Sequence, residues 1–142
     1  GLLRPLDLMQ PYRLEMGKKL ATGRGNTLYE FWGDQLTREI NRLMKERQTD
    51  ILVNCASREY FRAINEKRLE GRVVTPVFKD VKEGHARMLG MFAKKARGMM
   101  TRYIIQNRIE NVADLKKFDQ DGYRFQPSLS DDRTLEFHRL SG

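Results

Sequence analysis

Cysteine and histidine are scarce: the sequence has one cysteine, Cys55, and two histidines, His85 and His138. A single cysteine closes no internal disulfide and leaves no Cys-x-x-Cys pair for a metal, which fits a reducing compartment. No H-x-x-x-H or Glu-x-x-His spacing occurs either, so the residues present neither a metal site nor a cofactor motif. Cys55 has no histidine placed to activate it, and an inert buried thiol is the expectation. No run approaches the roughly 18 apolar residues that span a bilayer, and no charged-then-apolar signal segment opens the chain. The cytoplasm is therefore the default and no membrane partner is expected.

What is present is a chain of 142 residues, 39% hydrophobic and 32% charged, enough for one domain with a real core. Lys and Arg number 27 against 19 Asp and Glu, a formal charge of +8. That excess raises the expectation of a polyanionic partner such as nucleic acid or a phosphate ligand, but only the placement of the cations can decide. The chain opens on Gly1 without a methionine, and "GLLRPLDLMQPYRLEMG" brings apolar residues and two prolines with no polar tail. The expectation is a single partial domain over residues 1–142, a piece of a longer protein in which a binding cleft would be only half present.

Mixed α and β structure is expected, with three main helices and a small mixed sheet. Residues 1–25 carry Pro5, Pro11, Gly17, Gly23 and Gly25, too much punctuation for a long helix. Thr27 with Glu30 forms a capping-box pattern, and Leu28, Trp32, Leu36, Ile40 and Leu43 then recur on one helical face up to about Gln48. Asp34, Arg38, Asn41 and Lys45 take the other face. "DILVNCAS" reads as a buried strand, after which Ser57 can cap a short helix. Arg72 to Val81 and His85 to Phe92 read as a hairpin about "KEG", and Pro76, lacking a donor, places its strand at an edge or a bulge. A helix from Ala93 to about Ile109, a short one capped by Asn111, and strands in "YRFQ" and "TLEFHRL" complete the reading.

The second long helix carries the strongest candidate chemistry. At about 100° per residue, Lys94, Lys95, Arg97, Gly98 and Arg102 share one broad arc, with Ala96, Met99, Met100 and Tyr103 opposite. Gly98 costs roughly 1 kcal/mol of helix stability relative to Ala and would let a backbone approach closely. Lys94 and Lys95 near a helix start are electrostatically unfavourable, which a phosphate could offset. A solvated basic face, or pairing with acidic residues of the same chain, remains open on spacing alone.

Three weaker candidates accompany it. Gly23, Arg24, Gly25 and Asn26 precede a capped helix as a possible anion nest, without P-loop or dinucleotide spacing. Asn54 and Ser57, with Tyr60, stand where a strand meets a helix, a common address of ligand sites or simply of turn and cap residues. "IENVADLKKFDQDGY" could begin a helix-hairpin-helix, although Asp121-Gly122 stands where an apolar-Gly pair is usual.

"LRPLDLMQPYRLEMG", "LYEFWGD", "NCASREYF", "PVFKD" and "FAKKARGMMTRYIIQNRI", in this order and spacing, resemble the bacterial YaaA peroxide-stress protein family. The similarity covers nearly the whole chain and thins after Pro127. It implies a longer chain with an N-terminal Ile-Ser-Pro-Ala-Lys motif, absent here, and a Gly-Leu-Tyr-Gly hairpin whose second glycine would be Gly1. It also implies a mixed α/β fold with a basic cleft and a helix-hairpin-helix-like element, associated with DNA binding. The function implied is a cytoplasmic response to hydrogen peroxide that keeps unincorporated iron low and limits oxidative damage.

The resemblance supplies no reaction, and an enzyme is not the expectation. Phosphate contact through Lys94, Lys95, Arg97, Gly98 and Arg102, helped by Arg4, Arg13 and Arg24, would bind DNA with little sequence preference. The competing expectation is an enzyme or binding protein for a nucleotide or another phosphorylated small molecule, with Lys94, Arg97 and the turn from Gly23 to Asn26 holding the phosphate and Asn54, Ser57 and Tyr60 orienting the rest.

Overall fold

Alternation of burial along one strand organises much of the structure, a computed structural model that describes residue 8 and residues 15–140. The described residues fall into two compact units, one holding those up to Ile51 with Ala56–Arg72, the other Leu52–Cys55 and those from Val73 onward.

In the first unit, Thr27 accepts a hydrogen bond from the Glu30 N–H and starts helix α1, Leu28–Trp32. The single helix expected from the apolar spacing is broken: Gly33 adopts φ 48°, and α2 restarts at Gln35–Glu46. A positive φ costs glycine little, so the chain ends one helix there and begins another. Of the row read as the solvent face of this helix, Arg38 and Lys45 are exposed, but Asp34 and Asn41 are half-buried and, with Thr37, form a polar rail. Asp34 accepts from Asn65 and Arg68, the Thr37 hydroxyl accepts from the Asn65 N–H at 2.9 Å, and the Asn41 amide bonds both Arg68 and Glu70. Thr37 and Met44 are the buried residues of α2. Helix α3, Arg58–Phe61, starts on the Ser57 hydroxyl as expected.

The second unit holds all but the first residues of β1 and β2 of a five-stranded mixed sheet in the order β1-β2-β5-β4, with β3 also on β2. The strands are β1 Ile51–Val53, β2 Arg72–Lys82, β3 His85–Arg87, β4 Arg124–Phe125 and β5 Thr134–Leu140. β2 pairs in parallel with β5 and antiparallel with β3, and β4 pairs antiparallel with β5. Val74, Pro76, Phe78 and Asp80 are buried on β2, with Leu135 and Phe137 beside them on β5. Phe78 stacks on Phe137 at 5.3 Å and meets Phe118 and Tyr123 edge-on, an arrangement that adds to simple burial.

Pro76 stands on an interior strand, contrary to a simple edge. Thr75 donates to Arg133 beside β5, so position 76 turns the opposite way, past the Asn54 bond to Val74 that ends the β1 pairing and short of the β3 register at Asp80. The missing N–H thus falls where the sheet asks for no donor.

Two helices follow the hairpin: α4, Gly90–Asn107, and α5, Val112–Leu115, the latter capped by the Asn111 side chain as expected. The second hairpin strand is shorter than expected, because α4 begins at Gly90 instead of Ala93. After Asp121 and Gly122, both at positive φ, the chain enters β4, so no second helix completes a helix-hairpin-helix at "DQDGY". Among the described residues no helix is long and apolar enough to cross a membrane.

Candidate functional site

Helix α4 buries Ala93, Ala96 and Met100, and this fixes which arc faces outward. Lys94, Lys95, Gly98 and Arg102 are exposed and Arg97 is half-buried. Lys94 and Arg102 are separated by about 12 Å along the axis at the usual helical rise. Because α4 begins at Gly90, Lys94 and Lys95 lie in its second turn. The dipole repulsion expected for them is therefore mostly gone, since it fades within the first turn.

The four cations are not equivalent. Lys95 Nζ lies 3.2 Å from Asp121 Oδ2, which also accepts from Arg139 Nη1 at 2.7 Å. Among the described residues no carboxylate lies within ion-pair reach of Lys94, Arg97 or Arg102. Among the described residues nothing lies within 4 Å of a Cβ placed at Gly98, so they leave the helix surface between these cations bare. The packing of the described residues therefore does not require this glycine.

Arg97 also faces inward. Burial pushes the Cys55 thiol up, partly offset by the Thr101 hydroxyl and the positive charge of Arg97. Thr101 itself donates to the Arg97 carbonyl at 3.0 Å. Cys55 is half-buried, less than the buried thiol expected, and the upward push is opposite to what activates a cysteine. Neither histidine stands with it. His138 Nε2 lies 2.6 Å from Glu136, and His85 is on β3.

The remaining candidates are engaged locally. Arg24 stacks over the Phe31 ring at 4.7 Å, and the amide of Asn26, which an anion nest would use, already donates to the Glu30 carboxylate at 2.6 Å. Asn54 belongs to the second unit, where its side chain reaches Thr75; Ser57 and Tyr60 belong to the first, where Ser57 caps α3. Arg4 and Arg13 lie outside the described residues. No group of three His, Cys, Asp or Glu able to hold a metal stands together among the described residues.

One constellation escaped the sequence reading. Lys82, His85 and Arg87 share one face of the β2–β3 hairpin, because Lys82 is opposite His85 and Asp80 opposite Arg87. The available signal was the two-residue Glu83-Gly84 turn, both at positive φ, which brings its flanking residues into register.

Comparison with known proteins agrees with the five segments that carry the resemblance. The family model described as "Peroxide stress protein YaaA" matches residues 1–129. A UPF0246 protein of Hahella chejuensis is 53% identical over 139 residues, 98% of this chain and 54% of its own length. One from Aliivibrio fischeri is 54% identical over the same shares, and one from Shewanella woodyi 55% identical over 88% of this chain and 49% of its own length. The chain thus spans about half the length of these curated relatives. With the family model covering most of the sequence and the relatives more than half identical across nearly all of it, the chain belongs to the peroxide stress protein YaaA family.

Proposed function

We propose that this member of a peroxide-stress family acts in the cytoplasm by contacting the phosphate backbone of DNA through α4, with little sequence preference. One observation carries the reading: Lys94, Arg97 and Arg102 lie around a bare glycine without a carboxylate partner among the described residues. Cations held by no internal anion can neutralise phosphates and release counterions, which gives affinity that falls steeply with salt and carries no base information. Gly98 lets a phosphate approach the helix backbone. Lower free iron, which the resemblance implies, is then an effect of the whole protein in the cell.

The test is a salt titration of duplex DNA binding by the intact protein. Arg97→Ala with Arg102→Ala should weaken binding at low salt and reduce the slope of log affinity against log salt by about 2, since each phosphate contact contributes roughly 0.9. Unchanged affinity and slope would remove α4 from the interface.

A further inference from the structure

A second concentration of positive charge stands apart from the α4 arc, at the tip of the β2–β3 hairpin. There a cleft of about 230 Å³ is lined by Asp80, Lys82, Glu83, His85, Arg87 and Leu89. The hairpin register puts Lys82 and His85 directly across from each other and Arg87 two residues along on the same face. That leaves the Lys82 ammonium and the Arg87 guanidinium on one face of the hairpin tip, where an anion shared between them would offset their repulsion.

The carboxylates among the described residues do not supply that anion. Asp80 is 3% exposed and already engaged: Arg139 Nε donates to Oδ1, and the Tyr123 hydroxyl lies 3.3 Å from Oδ2. Glu83 sits at the turn with φ 50° and closes no ion pair with Lys82 or Arg87. Arg139 thus cancels the charge of Asp80 from behind, and Lys82, Arg87 and His85 face the cleft against one carboxylate.

A further donor set adjoins. Leu89, the cap residue of α4, lines the cleft and offers no side-chain acceptor, and the first turn of this 18-residue helix holds no acidic residue. The unsatisfied N–H groups at a helix start carry about half a positive charge and favour an anion. The cavity, two cations without a carboxylate partner among the described residues, and a helix start without a side-chain cap lie next to one another along residues 80–92 of a single unit.

We propose that this cleft binds a small phosphate-bearing compound, with Lys82 and Arg87 holding the anion, His85 contributing a ring N–H, and Leu89 offering an apolar contact to whatever the phosphate is attached to. A fork of Arg donors and a Lys point charge suit a phosphate dianion. The site is independent of the DNA reading, which rests on Lys94, Arg97 and Arg102.

The experiment is titration of the intact, isotope-labelled protein with inorganic phosphate and, separately, with adenosine monophosphate, followed by amide spectra. Saturable shifts centred on residues 80–92 are expected, with affinity weakened about tenfold or more in Lys82→Gln with Arg87→Gln, the loss of charge-assisted hydrogen bonds. The Arg97→Ala, Arg102→Ala protein should bind the probes as before. Tighter binding of the ester than of inorganic phosphate supports the Leu89 contact. Failure to saturate with either probe, affinity unchanged by the Lys82 and Arg87 substitutions, or equal weakening by both variant pairs would overturn a separate site. Lys82 and Arg87 are exposed, so the variants leave the core intact, and unchanged unfolding midpoints check this.

Discussion

Arg139 is the register partner of Asp80 across the parallel β2–β5 pair, and its Nε lies 2.5 Å from the buried carboxylate. Alternation along β2 puts Asp80 on the same face as Phe78, at the polar end of an otherwise apolar stripe. The guanidinium also lies over the rings of Phe92 and Tyr123, at 4.6 and 4.9 Å. Removing one partner of such a pair leaves an uncompensated charge in the core. Arg139→Gln should therefore lower unfolding stability by about 3 kcal/mol in urea, and Asp80→Asn should recover part of that loss in the double variant. The Tyr123 phenol, pushed up to about 12 by burial and by the Asp80 charge, is held down in part by Arg139. In Arg139→Gln it should titrate higher still, read by ultraviolet absorbance.

Lys94 and Lys95 provide an internal comparison on α4. Lys95 already faces Asp121, whereas Lys94 has no carboxylate partner among the described residues. Lys94→Ala should weaken DNA binding more than Lys95→Ala at equal salt. The latter should change stability by no more than about 1 kcal/mol, as expected of an exposed pair.

Two glycines should respond oppositely to alanine. At Gly71 a Cβ would lie 2.1 Å from Met44 Cε and 2.6 Å from the Asp50 carbonyl, so Gly71→Ala should cost about 1 to 3 kcal/mol. At Gly98 the space is open and the residue is inside a helix, so Gly98→Ala should stabilise by roughly 1 kcal/mol. If phosphate approaches the backbone there, Gly98→Leu should reduce DNA affinity while the protein stays folded, as measured by thermal unfolding and binding in parallel.

Burial works against the charge of Glu136, but hydrogen bonds from Lys79 at 2.7 Å and His138 at 2.6 Å outweigh it and hold the carboxyl below its ordinary value. A carboxyl depressed on folding contributes stability above its unfolded pKa of about 4.3 and loses it as pH falls through the folded value. Glu136→Gln should therefore flatten the decline of stability on the acid side of about pH 4.3, followed by urea midpoints at stepped pH.

The Cys55 thiol, pushed up by burial, should react with a disulfide reagent only at higher pH than a free cysteine, near about 8.5. Arg97 works in the opposite direction, so Arg97→Ala should move the onset higher again. An unchanged onset would mean that Arg97 does not act on the thiol.

Elements with a local cause were legible. Asn111 caps α5 and Ser57 caps α3 because a side-chain oxygen two or three residues before an orphan N–H satisfies it whatever the rest of the chain does. "TLEFHRL" is β5 throughout, since alternating apolar residues in a short run fit a half-buried strand. The basic arc of α4 follows from helical periodicity in the same way. The break at Gly33 was not legible, because an isolated glycine inside an apolar helical pattern can be tolerated at a cost or can end the helix, and the pattern alone does not say which. Nor was the use of Thr37 and Asn41 as partners of residues 65–70, which depends on chain more than twenty residues away.

The sequence by itself determined the excess of positive charge, the helix that concentrates it, and the family whose segments it carries, because composition, periodicity and order are properties of a string. Tertiary structure decided which cations remain available. Asp121 comes from a different part of the chain to occupy Lys95, Asp80 occupies Arg139 through strand register, and the hairpin turn gathers Lys82, His85 and Arg87 on one face. A charge becomes a binding group only when folding leaves it without an internal partner, and partners are chosen in space.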